Sequence, residues 1–176
     1  MSDGQEIEHK AIGQLESLDA PYEVVRIDPD FADTAEFSKK YGYPLENSGN
    51  TIIVASKKEP KQYCACVVRA DTRLDVNHAV KRLMGVSRLS FAKPEETSAL
   101  TGMMIGGVTA LGLPDDLPVY VDELLMDLDY VILGGGSRLC KIRVSPDLFR
   151  RLPNTKIVQG LTLGSDTKSH CGGEVL

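Results

Sequence analysis

The segment NTIIVASKKEPKQYCACVVRA, residues 50–70, decides the fold class of this chain. Two runs of small and β-branched apolar residues, 50–55 and 62–70, flank the charged stretch SKKEPK. Such runs separated by a short polar turn are typical of two antiparallel strands. The segment therefore predicts a β-hairpin, and with it a sheet that contains antiparallel strands.

Helical and strand patterns alternate irregularly on both sides of this hairpin. Helices are predicted at residues 7–18, 33–42, 75–85, 93–102 and 145–152, from apolar spacing and from Pro or Gly at their ends. Strands are predicted at residues 22–27, 86–92 and 118–121, and as a glycine-linked pair within 129–144. We expect one α+β domain with a mixed, mostly antiparallel sheet over residues 1–160, and a peripheral tail over 161–176.

The composition narrows the classes of partner. The 176 residues include 25 acidic and 20 basic side chains, giving a net charge of -5. An acidic chain is a poor binder of long phosphate backbones, so we expect no DNA partner. No apolar run approaches the roughly 18–20 residues of a membrane span, and the polar, acidic start is unlike a signal peptide. We expect a cytoplasmic protein with no membrane partner.

The cysteines and histidines do not form a ligand pattern. Cys64 and Cys66 share one face of the second hairpin strand, but no second close pair follows. The remaining cysteines and the histidines are scattered along the chain: Cys140, Cys171, His9, His78 and His170. We expect no metal and no cofactor, with the paired cysteines acting as small buried apolar residues.

Two glycine segments are candidate binding elements. Gly134–Gly136 fails the dinucleotide fingerprint, because residue 139 is Leu, and lacks the Gly-Lys-Ser/Thr of a P-loop. It is either a tight turn or a wall at which Gly135 and Gly136 let a substrate approach the backbone. The segment IGGVTALG, residues 105–112, exposes successive backbone amides that can bind an oxyanion. Asp122 ends a predicted strand near this loop, and either lines a site or caps the following turn.

The order of these features resembles the YbaK / prolyl-tRNA-synthetase-associated family of editing domains. The resemblance covers residues 8–160. The segments that show it are NTIIV, RLD before a helix, LTG followed by GGV, VYVDE, and the glycine-rich hairpin before the SPDL segment. It implies a domain that hydrolyses the ester between a wrong amino acid and the tRNA 3′ end. The implied partners are an aminoacyl-tRNA acceptor end and an aminoacyl-tRNA synthetase.

The resemblance also implies site residues. The family's lysine-threonine pair falls on Asn50 and Thr51, so the lysine is replaced by a neutral amide. The loop that holds the aminoacyl group falls on five consecutive residues, with Ala110 where proline is usual: Gly106, Gly107, Val108, Thr109 and Ala110. For water activation, the family suggests the terminal hydroxyl of the tRNA itself.

Three hypotheses follow. The first is a trans-editing deacylase whose pocket is lined by Asn50, Thr51, the glycine loop and Asp122. The second is a relative that binds an aminoacyl-tRNA end or an amino acid without hydrolysis, since the lysine is missing. The third is a structural module that docks on a synthetase. We favour the first, because backbone donors and substrate assistance can sustain hydrolysis.

Overall fold

The hairpin predicted from residues 50–70 is the centre of the fold in the computed structural model, which describes residues 2–165. Strand β2 (Gly49–Ser56) pairs antiparallel with strand β3 (Tyr63–Arg69), in register from Gly49 opposite Arg69 to Ala55 opposite Tyr63. The single-domain α+β class with a mixed sheet is confirmed.

The other elements surround this hairpin. The helices are α1 (Asp3–Ser17), α2 (Thr34–Tyr41), α3 (Lys81–Met84) and α4 (Pro94–Thr101). The remaining strands are β1 (Tyr22–Arg26), β4 (Thr72–Leu74), β5 (Leu89–Phe91), β6 (Val119–Asp122), β7 (Val131–Gly134), β8 (Cys140–Val144), β9 (Thr155–Val158) and β10 (Thr162–Ser165). Within the described residues, no helix is both long and apolar enough to cross a bilayer.

The strands form three sheets. The largest has the order β5-β2-β3-β6-β9, in which the β3–β6 and β6–β9 pairs are parallel and the others antiparallel. An antiparallel sheet of order β1-β8-β7 packs beside it, and β4 pairs with β10. Strand β5 covers only residues 54–56 of β2, and an isolated parallel bridge joins Ser48 to Ile132, so one edge of β2 is free between these two contacts.

Both faces of the hairpin are buried, which explains its nearly continuous apolar sequence. Ile53 and Val67 face the main core, together with α1 and the three-stranded sheet, whereas Val54 and Val68 face a second core under α3. A third cluster lies under α2, where Phe37 stacks on Tyr43 with ring centroids 5.3 Å apart.

Two predicted elements differ in type or extent. Residues 145–152 form only a 3-10 turn (Pro146–Arg150), started by the Ser145 hydroxyl, which accepts the Asp147 amide. Residues 75–85 begin with a π-helical turn (Val76–Val80) before α3. In both cases the helical signal was correct, but the segment is too short to complete several α-helical turns.

The fold continues beyond residue 160, where the predicted domain boundary lies. Leu161 is fully buried in the second core, and Thr162 begins β10, which pairs with β4. Leu161 and β10 therefore pack with the elements before residue 160. Residues 166–176 of the predicted tail, including His170 and Cys171, lie outside the described residues.

Candidate functional site

A cavity of about 250 Å³ opens along the free edge of β2. The Ile53 carbonyl on this edge accepts a hydrogen bond from the Ala92 amide, near the end of β5. Backbone groups of an antiparallel strand alternate between its two edges, so Gly49 and Thr51 present theirs on the same side as Ile53. Between the end of β5 and the bridge from Ser48 to Ile132, that side is the cavity, so the backbone of β2 forms part of its floor.

The cavity walls come from five parts of the chain. They are the start of α2, the start of β2, the glycine loop, the end of β7, and β8: Asp33, Thr34, Phe37, Ser48, Gly49, Asn50, Thr51, Ile52, Ile105, Gly106, Val108, Ile132, Leu133, Gly134 and Lys141. Apolar and polar groups are mixed, as in sites that bury an organic ligand and orient it with a few hydrogen bonds.

Two hydroxyls in these walls have no hydrogen-bond partner among the described residues. They belong to Ser48, which is 3% exposed, and to Thr51, which is 9% exposed. Buried hydroxyls are normally paired, and an unpaired one costs about 1–3 kcal/mol of stability. Both residues line the cavity, although the two oxygens themselves are not exposed to solvent.

Asn50 lies at the mouth of the same cavity and is half-buried. Its side-chain oxygen accepts a 2.7 Å hydrogen bond from the Thr34 hydroxyl at the start of α2. This contact orients the amide, and its nitrogen donates no hydrogen bond within the described residues. Asn50 therefore offers a neutral donor to a ligand.

The glycine loop faces the cavity with only part of its length. The Gly107 amide donates to the Met104 carbonyl at 2.9 Å, closing a tight turn in which Gly106 has a φ of +89°. A Cβ on Gly106 would also collide with the guanidinium of Arg138. In the described residues the amides of Gly106 and Val108 form no hydrogen bond, so they are the loop's available oxyanion donors.

The glycine hairpin supports this loop from behind. The Gly136 amide donates to the Gly107 carbonyl at 2.6 Å, and the Met104 amide donates to the Gly136 carbonyl at 3.3 Å. A Cβ on Gly134 would lie 2.7 Å from the carbonyl oxygens of Gly107 and Val108. The two glycine segments thus pack backbone against backbone, an approach that side chains would prevent.

Lys141, on the central strand β8, is one of the lining residues that sequence reasoning missed, as it missed Ser48 and Asp33. The side chain is buried, at 6% exposure, and its Nζ donates a 2.9 Å hydrogen bond to the Gly106 carbonyl. The same atom lies 5.8 Å from the centre of the Phe37 ring. Burial lowers the pKa of Lys141 to about 8, partly opposed by the charge of Asp33.

The rim of the cavity is held by Arg138. Its guanidinium donates to the Asp33 carboxylate at 3.1 Å and to the carbonyls of Ile105 and Pro29, both at 2.9 Å. One side chain therefore joins the glycine loop to the segment before α2. This fixes the width of the cavity mouth.

The predicted site residues divide into two groups. Asn50, Thr51, Gly106 and Val108 meet at the cavity. The other loop and hairpin residues are not part of its lining: Gly107, Thr109, Ala110, Gly135 and Gly136. Thr109 and Ala110 are buried, with Ala110 in the main core, and Gly107 packs against the hairpin.

Asp122 does not line the cavity and has a structural position instead. It is 1% exposed and caps the 3-10 turn Glu123–Asp127, accepting the Leu124 amide at 3.3 Å and the Thr162 hydroxyl at 2.9 Å. Burial raises the pKa of this carboxyl, and the two hydrogen bonds oppose that rise. Strand β6 pairs with β3 on the far side from β2, which separates Asp122 from the free edge.

The cysteines do not offer a metal site or an activated thiol in the described part of the chain. Cys64 and Cys66 are fully buried with their sulfurs 3.8 Å apart, and no group of three or more metal-ligating side chains occurs there. Burial raises the pKa of Cys140 to about 11, so its thiol is protonated at neutral pH.

Comparison with known proteins agrees with this architecture. Residues 28–152 match the family model of the aminoacyl-tRNA editing domain. One similar crystal structure, of a candidate trans-editing enzyme for prolyl-tRNA synthetase, has 25% sequence identity and a TM-score of 0.75, covering 93% of this chain and 99% of that one. Another, of a protein designated APE2540, has 24% identity and a TM-score of 0.77, covering 87% and 99%. The chain belongs to the aminoacyl-tRNA editing domain family.

Proposed function

We propose that this protein is a trans-editing deacylase, which hydrolyses the ester of a mischarged tRNA. The observation that carries the proposal is the cavity beside β2, where the hydroxyls of Ser48 and Thr51 are buried and have no hydrogen-bond partner among residues 2–165. An aminoacyl ester brings a carbonyl, an ammonium group and ribose hydroxyls, which can satisfy such groups.

The reaction needs a positioned ester, a water and a stabilised oxyanion. The water oxygen bonds to the ester carbonyl carbon, giving a tetrahedral intermediate with a negatively charged oxygen. Its collapse breaks the bond to the terminal ribose oxygen, which takes up the proton released by the water. The products are a free amino acid and a tRNA with its terminal hydroxyl restored.

Different residues of the cavity lining meet these requirements. Gly106 and Val108 line the cavity, and in this proposal their amides act as oxyanion donors while Asn50 and Thr51 orient the aminoacyl group from strand β2. Asp33 at the rim offers a carboxylate to the substrate ammonium. The net charge of -5 disfavours extensive contact with the phosphate backbone, so we expect the acceptor end of the tRNA to be the part that is bound.

The second candidate is binding without hydrolysis. The observation that favours it is Asn50, a neutral side chain at the position where the family resemblance places a lysine. Losing one electrostatic contact of this kind costs on the order of 10²–10³ in rate. Such a protein would hold an aminoacyl-tRNA end in the same cavity and release it unchanged.

A deacylation panel separates the two candidates. Purified protein is mixed with tRNAs carrying wrong amino acids, beginning with tRNA for proline because one structural relative is named for that synthetase. We expect release of the wrong amino acid well above the rate in buffer, and little release of proline. Rates equal to buffer across the panel would refute hydrolysis. A rise in melting temperature with an amide-linked aminoacyl-adenosine would then support the binding candidate.

An association with a synthetase is part of the same proposal. A free-standing editing protein must reach the mischarged tRNA before it is used in translation, which takes place in the cytoplasm. Prolyl-tRNA synthetase is the first partner to test, by measuring whether adding it changes the deacylation rate.

A further inference from the structure

The cavity is lined by one buried amine, Lys141, that has no part in the hydrolytic steps of the proposed function. Of the lining residues, only Asp33 and Lys141 carry charge. Asp33 is exposed at the rim and paired with Arg138, so Lys141 supplies the positive charge inside.

The buried position of this amine destabilises its charged form, which is unexpected for a residue with only a structural role. Within the described residues, Lys141 forms no ion pair, and its hydrogen-bond partner is the neutral Gly106 carbonyl. Burying a charge without an opposite charge costs several kcal/mol, more than a neutral donor in the same place would. One N–H of the ammonium is used by Gly106, which leaves two others available.

Strand β8 explains how a lysine reaches this position. Ile142 and Val144 face the main core, so Lys141 points to the opposite face of the three-stranded sheet. That face is covered by α2 and the cluster around Phe37. The lysine is thereby held rigidly, with its Nζ at the glycine loop.

We propose that Lys141 takes the place of the charge missing at Asn50, donating from its ammonium to the carbonyl oxygen of the ester. Gly106 holds the ammonium beside the loop amides, so that three donors, the ammonium and the amides of Gly106 and Val108, converge on the developing oxyanion. This inference rests on the proposed deacylase function and specifies which side chain supplies the cation.

The first test compares wild type with Lys141→Met in single-turnover deacylation, using a tRNA that the panel has shown to be a substrate. We expect the rate to fall on the order of 10²–10³. Lys156→Ala, on the exposed side of β9, is the matched control and should keep the wild-type rate. A Lys141→Met rate within a few-fold of wild type overturns the inference, while leaving the deacylase function intact.

A second variant distinguishes charge from loop support. Asn50→Lys is introduced together with Lys141→Met, which returns an ammonium to the same cavity from β2. We expect the double variant to recover at least tenfold over Lys141→Met, although the bond to Gly106 stays lost. If Lys141→Met is inactive and neither this change nor added ethylammonium restores any rate, Lys141 serves only to hold the loop.

The pH dependence gives a third readout. Burial lowers the pKa of Lys141 to about 8, and the titratable groups that also act on it are Asp33, Arg138 and Cys140. Because the ammonium is the active form, the ratio of wild-type to Lys141→Met rates should fall as pH rises through about 8. Taking the ratio cancels the direct effect of hydroxide on the ester. A ratio that increases with pH would contradict the cationic role.

Discussion

Replacing Thr51 by Val should make the protein more stable and less active. The Thr51 hydroxyl is buried beside the cavity with no partner in the described residues. Val has the same shape and β-branching, so the strand and its packing are retained. An unsatisfied buried hydroxyl costs about 1–3 kcal/mol, and its removal should recover about 1–2 kcal/mol of that. For a chain of this size, this corresponds to a rise in Tm of roughly 2–8 °C.

In the proposed deacylase, the same substitution removes the hydroxyl that is expected to bond the substrate. We expect deacylation to fall about 10- to 100-fold, the equivalent of roughly 1.4–2.7 kcal/mol. Thermal unfolding followed by circular dichroism gives the stability, and single-turnover hydrolysis gives the rate. A cavity kept polar at the expense of stability is an expected property of a binding site.

Thr51→Ser is the matched control, because it keeps the hydroxyl and deletes a methyl group. It should keep most of the activity and lose about 0.5–1.5 kcal/mol, as for a buried methyl deletion. The two variants should therefore move stability in opposite directions. The reasoning is refuted if Thr51→Val melts below wild type, or if it hydrolyses substrate as fast as wild type.

Two further changes test the scaffold. Gly107→Ala would place a Cβ 2.6 Å from the Ser137 carbonyl carbon, so both Tm and the deacylation rate should drop. Gly13 is exposed in α1 with open space around it, so Gly13→Ala should stabilise the protein by about 0.5–1 kcal/mol. Equal Tm values for the two variants would contradict the packing of Gly107 against Ser137. Glu8 is buried and bonded to the Ser137 hydroxyl at 2.6 Å and to Arg26 at 2.7 Å; burial opposes its charge, but these bonds lower its pKa. Glu8→Gln should cost about 1–3 kcal/mol at pH 7 in denaturant unfolding. A lowered pKa stabilises the folded state above the ordinary value of 4.5, so the difference should shrink as pH falls below that value, and a constant difference would argue against the ion pair.

Most of the local structure could be predicted from the sequence because its causes are local. The hairpin follows from two apolar runs around a charged turn, and α2 ends at Gly42, which has a φ of +78°. Asn50 and Thr51 were also identified from the sequence, because the family resemblance gives their positions without any knowledge of their surroundings. Elements whose stability depends on distant partners were harder to predict from the sequence. Strand β10 is an example, because it pairs with β4, almost ninety residues earlier in the chain.

The site itself was decided by the tertiary structure. Strand alternation places Lys141 and Ile142 on opposite faces, but only the packing of α2 turns the face of Lys141 into a cavity wall. The glycines of the loop and of the hairpin were each visible in the sequence, whereas their backbone contact depends on how β7 and β8 lie against residues 104–108. Asp122 was placed near the site by sequence order, yet β6 pairs on the far side of β3. Side-chain type and strand pattern are written in the sequence, but which faces become enclosed depends on the pairing of strands that are distant along the chain.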